Sequence, residues 1–278
     1  MALEKKLNLE AQWALLAGLG TFLLYLFGYL VLRSHLAVLG VDTGLSVLDQ
    51  RYLFAGAQFF AYLLPMVPIA LVLVLVTRRV WQAIRPPGLD RPDHLLVIGL
   101  AVSVTLIQLV LRKCLPFTNL LLQHELPSSA WVQALLLDTT GALRPLYFTA
   151  LLTLTGGVAW LLFAANRRAI RPSFLLNGAL ICVLLVQFLL LPVNFGMLVA
   201  NQEVPRVTTI EGKEELNPDM QVWRVWEGAD SVTFLVRRLD RGREMRRTLL
   251  TLDKKNLNRT EISGYDDLIP FLYAGEKP

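Results

Sequence analysis

Phe174–Ala200 reads FLLNGALICVLLVQFLLLPVNFGMLVA, with no Asp, Glu, Lys, Arg or His over its whole length. A hydrocarbon core about 30 Å thick is crossed by about 20 helical residues. This stretch is long enough to cross and to tilt or project beyond. Four other stretches share its character: Ala11–Leu32, Phe54–Thr77, Leu95–Leu111 and Leu146–Ala165. All charged residues of this region lie in the connections. Backbone polar groups find no water in lipid, so each stretch must be helical. The expected fold class is a membrane all-α protein with five transmembrane helices and a small C-terminal β-rich domain.

The solvent preference changes near residue 202. Residues 1–202 carry fourteen Lys/Arg and eight Asp/Glu, a charge of +6; residues 203–278 carry thirteen and fourteen, a charge of −1. A transmembrane domain over 1–202 and an extramembrane domain over 203–278 follow. Mean hydropathy is +0.49, and the basic excess belongs to membrane loops. Loop arginines facing anionic lipid explain it, and no nucleic-acid partner is expected.

Orientation follows from the same arginines. With the N-terminus inside, the inner segments hold Lys5, Lys6, Arg78, Arg79, Arg85, Arg91, Arg167, Arg168 and Arg171. The outer ones hold Arg33, Arg51, Arg112, Lys113 and Arg144. Nine against five places the N-terminus in the cytoplasm of a bacterial inner membrane and the C-terminal domain on the periplasmic or extracellular side. The first apolar run exceeds the 7–15 residues of a signal h-region, so it reads as an uncleaved span.

The third loop, Lys113–Arg144, is apolar for a loop. A sixth span there would bury His124 and Glu125 at about 2.5–3.5 kcal/mol per charge. Two short interfacial helices, or a re-entrant pair, cost less. Ser128 or Ser129 is expected to cap the second, with Trp131 at the aromatic belt.

In the tail the apolar period shifts towards two. Val222–Trp226, Ser231–Arg237 and Thr248–Leu252 read as strands, separated by turns at Glu227–Asp230 and Asp240–Arg243. Arg206–Ile210 and Arg259–Ile262 are weaker candidates, and Asp266–Ile269 opens a final helix or turn. Four or five antiparallel strands are expected, as a small barrel or a half-open sheet. At about 75 residues the domain is near the lower limit for independent stability and should dock on the membrane part.

Candidate functional groups are sparse. Gln58, Tyr62, Gln108, Asn177, Gln187 and Asn194 are the polar groups inside spans; Gln187 and Asn194 share a helix face. They could line a path for a polar solute or make interhelical hydrogen bonds. Proton-coupled transport normally leaves an Asp, Glu or His in a span. Pro65 and Pro68 are expected to break the second span and Pro192 the fifth. Ala14/Gly18, Gly99/Ser103 and Thr153/Gly157 have the small-xxx-small spacing of close helix packing. Asp90-Arg91-Pro92-Asp93-His94 reads as an anchor, with Asp93 capping the third span. His124, Glu125 and Asp138 are a weak outer-loop acid–base or metal candidate. Arg237, Arg238, Arg241, Arg243, Arg246 and Arg247 crowd one hairpin and could grip an anionic partner or protect a strand edge.

The tail contains no histidine, so it cannot hold a Ser/His/Asp site, and no P-loop, HExxH or GxSxG motif occurs. Cys114 and Cys182 read as buried structural thiols. No cofactor, no metal and no catalytic residue are expected. The expected role is non-enzymatic: an accessory, assembly or scaffold component that meets a protein partner, or a second copy, through the tail and third loop. A channel or carrier for a neutral or lipid-like solute is the first alternative, and a membrane enzyme using outer-loop residues the second.

Overall fold

The computed structural model describes residues 2–41, 50–84, 94–114, 128–138, 141–168, 174–199, 203–210, 219–228, 230–240, 243–257 and 260–268. Among these, seven helices precede five strands: α1 (Ala2–Leu39), α2 (Arg51–Leu63), α3 (Met66–Ile84), α4 (His94–Cys114), α5 (Ala130–Leu136), α6 (Leu143–Arg168) and α7 (Phe174–Leu198), then β1 (Val204–Ile210), β2 (Met220–Glu227), β3 (Ser231–Asp240), β4 (Arg243–Asp253) and β5 (Thr260–Asp266). The chain is mostly helical with a C-terminal antiparallel sheet.

Among the described residues, three helical segments are long and apolar enough to cross a membrane: Gln12–Leu39, Leu143–Phe163 and Asn177–Leu198. The α2–α3 pair passes the same test as one span bent by 43°, giving up to four. The apolar part of α4, Val97–Leu111, is shorter. At 1.5 Å per residue it reaches about 22 Å, less than a hydrocarbon core of about 30 Å.

The expected break in the second span falls at Leu64-Pro65, between α2 and α3. Pro65 has no N–H to donate and its ring crowds the carbonyl four residues back. Pro68 lies in the first turn of α3, where a missing N–H costs nothing. The expected break at Pro192 does not occur: α7 runs on through it to Leu198. Close to the carbonyl that Pro192 leaves without its helical donor, Gln108 Nε2 donates to the Gln187 carbonyl at 3.3 Å.

Helix α1 also continues seven residues past the expected end at Leu32. Polarity at Arg33 ends an apolar run, not a helix. What stops the helix is Gly40, at φ 67°. Val41 N donates to Leu36 O at 3.0 Å and Gly40 N to Ala37 O at 3.2 Å. That is the Schellman pattern, with glycine in the left-handed position where a Cβ is disfavoured.

The chain divides into two compact units. The first comprises Met1–Leu32, Ser46–Val110 and Pro145–Phe195. Inside it Val97, Ala101, Val158, Leu161, Leu162 and Leu180 form a core between α4, α6 and α7. Arg78 of α3 stacks over the Trp160 ring at 5.4 Å. A second cluster is aromatic. Phe27 meets Phe59 and Phe188 edge-on at 5.7 and 5.1 Å, and Phe195 contacts Phe59, Tyr62 and Phe148. Next to it α1 and α2 meet backbone to backbone. A Cβ on Gly28 would overlap the Tyr52 carbonyl, and one on Gly56 the Leu24 carbonyl.

The small-xxx-small pairs do not mark such contacts. Among the described residues nothing stands close to where a Cβ on Gly18, Gly99 or Gly157 would be, so close packing within the chain at those pairs is corrected. Cys182 is also corrected: it is free and exposed, on α7 beside the exposed Ile181, Leu185 and Val186. Hydropathy marks a residue as fit for an apolar solvent. It does not separate a lipid-facing side from a packed one.

The second unit comprises Arg33–Leu45, Leu111–Arg144 and Gly196–Pro278. It holds the tail, the described part of the third loop, and the ends of α1, α4 and α7. Its sheet has the order β4-β3-β2-β1-β5. All four pairings are antiparallel. Among the described residues it is an open sheet with edges β4 and β5, not a barrel. Val207, Val222, Val232 and Phe234 form its core on one face, with Val236, Leu252 and Leu257 packed around them. Trp223 and Leu235, in register with each other, are buried on the opposite face. Bulges at Arg224/Trp226 and Arg206/Val207 interrupt the pairing.

Two expectations about this unit change. Asp266 is the last residue of β5 and opens no helix within the described residues. Ser129 does occupy the N-cap position of α5, but its side chain makes no capping bond. Its backbone carbonyl accepts from Val132 N and Gln133 N at 3.1 and 3.0 Å. The first half of the third loop, with the expected first interfacial helix, lies outside the described residues, as does the Arg91–Asp93 cap of α4.

Candidate functional site

The polar groups of the first unit fall into two sets. Gln58 is exposed, and Asn177 and Tyr62 are half-buried; Tyr62 places its ring against Phe148 at 5.6 Å and Phe195 at 5.1 Å. Gln108, Gln187 and Asn194 are fully buried, and each crosses to another helix. Gln187 Nε2 donates to Ala101 O at 2.8 Å and to Thr105 Oγ1 at 3.1 Å. Asn194 Nδ2 donates to Tyr147 Oη at 3.1 Å. The side-chain oxygens of Gln108, Gln187 and Asn194 accept no hydrogen bond among the described residues. The chemistry available here is amide and hydroxyl hydrogen bonding that ties α4 and α6 to α7.

In the second unit the six arginines of the tail divide by position. Arg237 and Arg238 lie on β3; Arg243, Arg246 and Arg247 lie on β4. Arg241 is outside the described residues. Arg238 is exposed, Arg237 half-buried and Arg247 buried, at 9% exposure. Arg237 Nη1 donates to Gln221 Oε1 at 3.2 Å. The register sets Gln221, Arg237 and Arg247 in one row across β2, β3 and β4, and Arg238 opposite Arg246 in the next. Like charges directly opposed weaken strand pairing.

Of the outer-loop candidates, His124 and Glu125 lie outside the described residues. Asp138 caps a helix: its Oδ2 accepts from Leu143 N, at the start of α6, at 2.7 Å. A carboxylate at a helix N-terminus is favourable both as acceptor and as charge. Among the described residues no group of three or more His, Cys, Asp or Glu is arranged to hold a metal ion.

Arg144 enters the sequence reading only as one of the outer-loop arginines, with no site role. It sits in the first turn of α6 with a side chain only 3% exposed, and its Nη2 lies 3.7 Å from Asp267 Oδ2. Among the described residues its Nε has no hydrogen-bond partner. A buried guanidinium needs a counter-charge, and Asp267, one residue beyond β5, supplies it. The third loop and the sheet are thereby joined by charge inside one unit. Nearby in sequence, Asp266 Oδ2 accepts from Trp223 Nε1 at 2.7 Å. Asp266 and Asp267 are adjacent acidic residues, and that was the one available signal; nothing in the spacing paired them with Arg144 or Trp223. The Gly28/Gly56 crossing was also missed, although both glycines lie in aromatic-rich segments.

These features define a mostly helical protein with segments long and apolar enough to cross a membrane and a C-terminal antiparallel sheet. No protein-family model, curated protein or solved structure matches the chain.

Proposed function

We propose that this chain is a five-span protein of a bacterial inner membrane, with a cytoplasmic N-terminus and its second unit on the outer face. In this reading it serves as an accessory, assembly or scaffold component that meets a protein partner through the sheet and third loop. One observation carries the reading. Residues 111–144 and 196–278 belong to one compact unit, with Arg144 and Asp267 paired within it. A loop and a tail built into one body offer a surface for recognition.

The orientation is coherent with the same unit. The C-terminal ends of α1, α4 and α7 and the N-terminal end of α6 all belong to it. Alternating crossings bring those four ends to one side. α4 completes the count of five if its polar ends reach the headgroup region, where short spans are accommodated by local thinning. The carrier reading is less well supported, because Gln187 and Asn194 spend their donors on neighbouring helices.

The test is affinity purification of the full chain and of a chain ending at Glu203, each followed by mass spectrometry. Loss of a stoichiometric partner on truncation is expected. An unchanged set of co-purifying proteins removes the reading.

A further inference from the structure

We propose that the α4–α7 crossing is a binding site for one buried water molecule, held between the side-chain carbonyl oxygens of Gln108 and Gln187. The inference stands apart from the partner reading above. Both residues are 0% exposed. Gln187 lies midway along the apolar segment Asn177–Leu198, about 15 Å from either end at about 1.5 Å per residue. Lipid at that depth offers no hydrogen-bond donor.

The donors at the crossing are engaged. Gln187 Nε2 carries two protons and donates to Ala101 O at 2.8 Å and to Thr105 Oγ1 at 3.1 Å. The one hydroxyl proton of Thr105 goes to Ala101 O at 3.0 Å. Gln108 Nε2 donates to Gln187 O at 3.3 Å. Two acceptors are left over: Gln108 Oε1 and Gln187 Oε1 are buried and accept nothing among the described residues. A buried acceptor without a donor bears its full desolvation cost.

Turning either amide over, which would exchange its oxygen and nitrogen, does not remove the difficulty. For Gln108 it would set Oε1 against the Gln187 carbonyl, and for Gln187 against the Ala101 carbonyl. Two acceptors would then stand at hydrogen-bond distance with no proton between them. The backbone thus fixes where both oxygens lie. Asn194 differs: its partner is the Tyr147 hydroxyl, which can donate or accept, so its amide can turn.

Carbonyl oxygens attract cations as well as neutral donors. Neither Val97–Leu111 nor Asn177–Leu198 contains a carboxylate, however, and a buried charge without a counter-charge costs far more than a neutral group. Water is neutral and has two protons, one for each oxygen. Its lone pairs can take the second Nε2 proton of Gln108. Three hydrogen bonds are the usual complement of a buried water. The water links two side chains that otherwise meet only other groups: Gln108 the backbone at 187, and Gln187 Ala101 and Thr105.

The direct test is a crystal structure of the full chain, grown from lipid, at a resolution that shows ordered water. Density about 2.7–3.0 Å from both Oε1 atoms is expected. Gln187→Met should lose it while keeping the bond from Gln108 to the carbonyl of residue 187. An empty crossing, or a protein donor in that place, overturns the proposal. Reversible unfolding in mixed micelles gives a second measure. Either single substitution, Gln108→Met or Gln187→Met, already breaks the bridge. The folding constant of the double variant should therefore lie about fivefold above the value expected from multiplying the two single effects. Effects that simply multiply overturn the proposal as well.

Discussion

Replacing Gly28 by alanine should destabilise the helical unit far more than the same change at Gly18. At Gly28 the new methyl would overlap the Tyr52 carbonyl and stand 2.8 Å from the Gly56 amide nitrogen. Both atoms are backbone, so no side chain can swing aside. α1 and α2 must separate by an ångström or more, and overpacking of this kind costs about 1–3 kcal/mol. Separation also loosens the ring contacts across the crossing, including Tyr25–Tyr52 at 5.2 Å, Tyr29–Tyr52 at 5.5 Å and Phe27–Phe59 at 5.7 Å. Each such pair contributes about 0.5–1.5 kcal/mol beyond its burial. The helix-propensity gain from Gly to Ala offsets about 0.5–1 kcal/mol. A net loss of about 2–4 kcal/mol follows. At Gly18 no described residue comes within 4 Å of where a Cβ would stand, so only the propensity gain remains. Reversible unfolding in mixed micelles, followed by helical circular dichroism, measures both. A Gly28→Ala chain as stable as the Gly18→Ala chain would refute the backbone-to-backbone crossing.

Three further outcomes follow from named contacts. Gln187→Leu removes donors to Ala101 and Thr105; at about 0.6 kcal/mol per interhelical bond it should cost about 1 kcal/mol in the same unfolding assay, whereas Gln58→Leu, at an exposed position, should be neutral. Asp267→Asn leaves the buried Arg144 without its counter-charge. Because Asp267 is 34% exposed, the cost is set at about 1–3 kcal/mol, below that for a fully buried pair. It should appear as faster proteolysis of the sheet, and Arg144→Met combined with Asp267→Leu should recover much of the loss. Trp223→Phe loses the indole bond to the Asp266 carboxylate, worth about 1.5–3 kcal/mol as a bond to a charged group. It should lower the thermal midpoint of the sheet while leaving the helical signal unchanged.

The helices were legible because lipid imposes a harsh filter: a charge-free run of about 20 residues has few other uses. α7 and α6 emerge close to their expected bounds for that reason. The extension of α1 past Arg33 was hidden because helix ends are set by caps such as Gly40, while hydropathy marks only the apolar part. β2, β3 and β4 were legible from β-branched and aromatic runs between Gly/Asp turns. β1 and β5 were weaker signals: β1 carries Pro205, and β5 is largely exposed and polar. Strand order and bulges are properties of pairing, which no single strand encodes. Within the candidate site, Gln187 and Asn194 were readable as buried polar groups on one face. Their partners Ala101, Thr105 and Tyr147 were not, since contact between distant helices leaves no local pattern. Arg144 was hidden among topogenic arginines for the same reason.

The account depends most on one placement: the unit containing the sheet and third loop on the outer side of the membrane. Paired reporter fusions after Pro278 measure it directly, one active only outside the cytoplasm and one only within it. Five alternating crossings from a cytoplasmic N-terminus predict an active outer reporter and a silent inner one. The reverse pattern, an active cytoplasmic reporter at the C-terminus, would contradict the crossing count and with it the outward-facing surface.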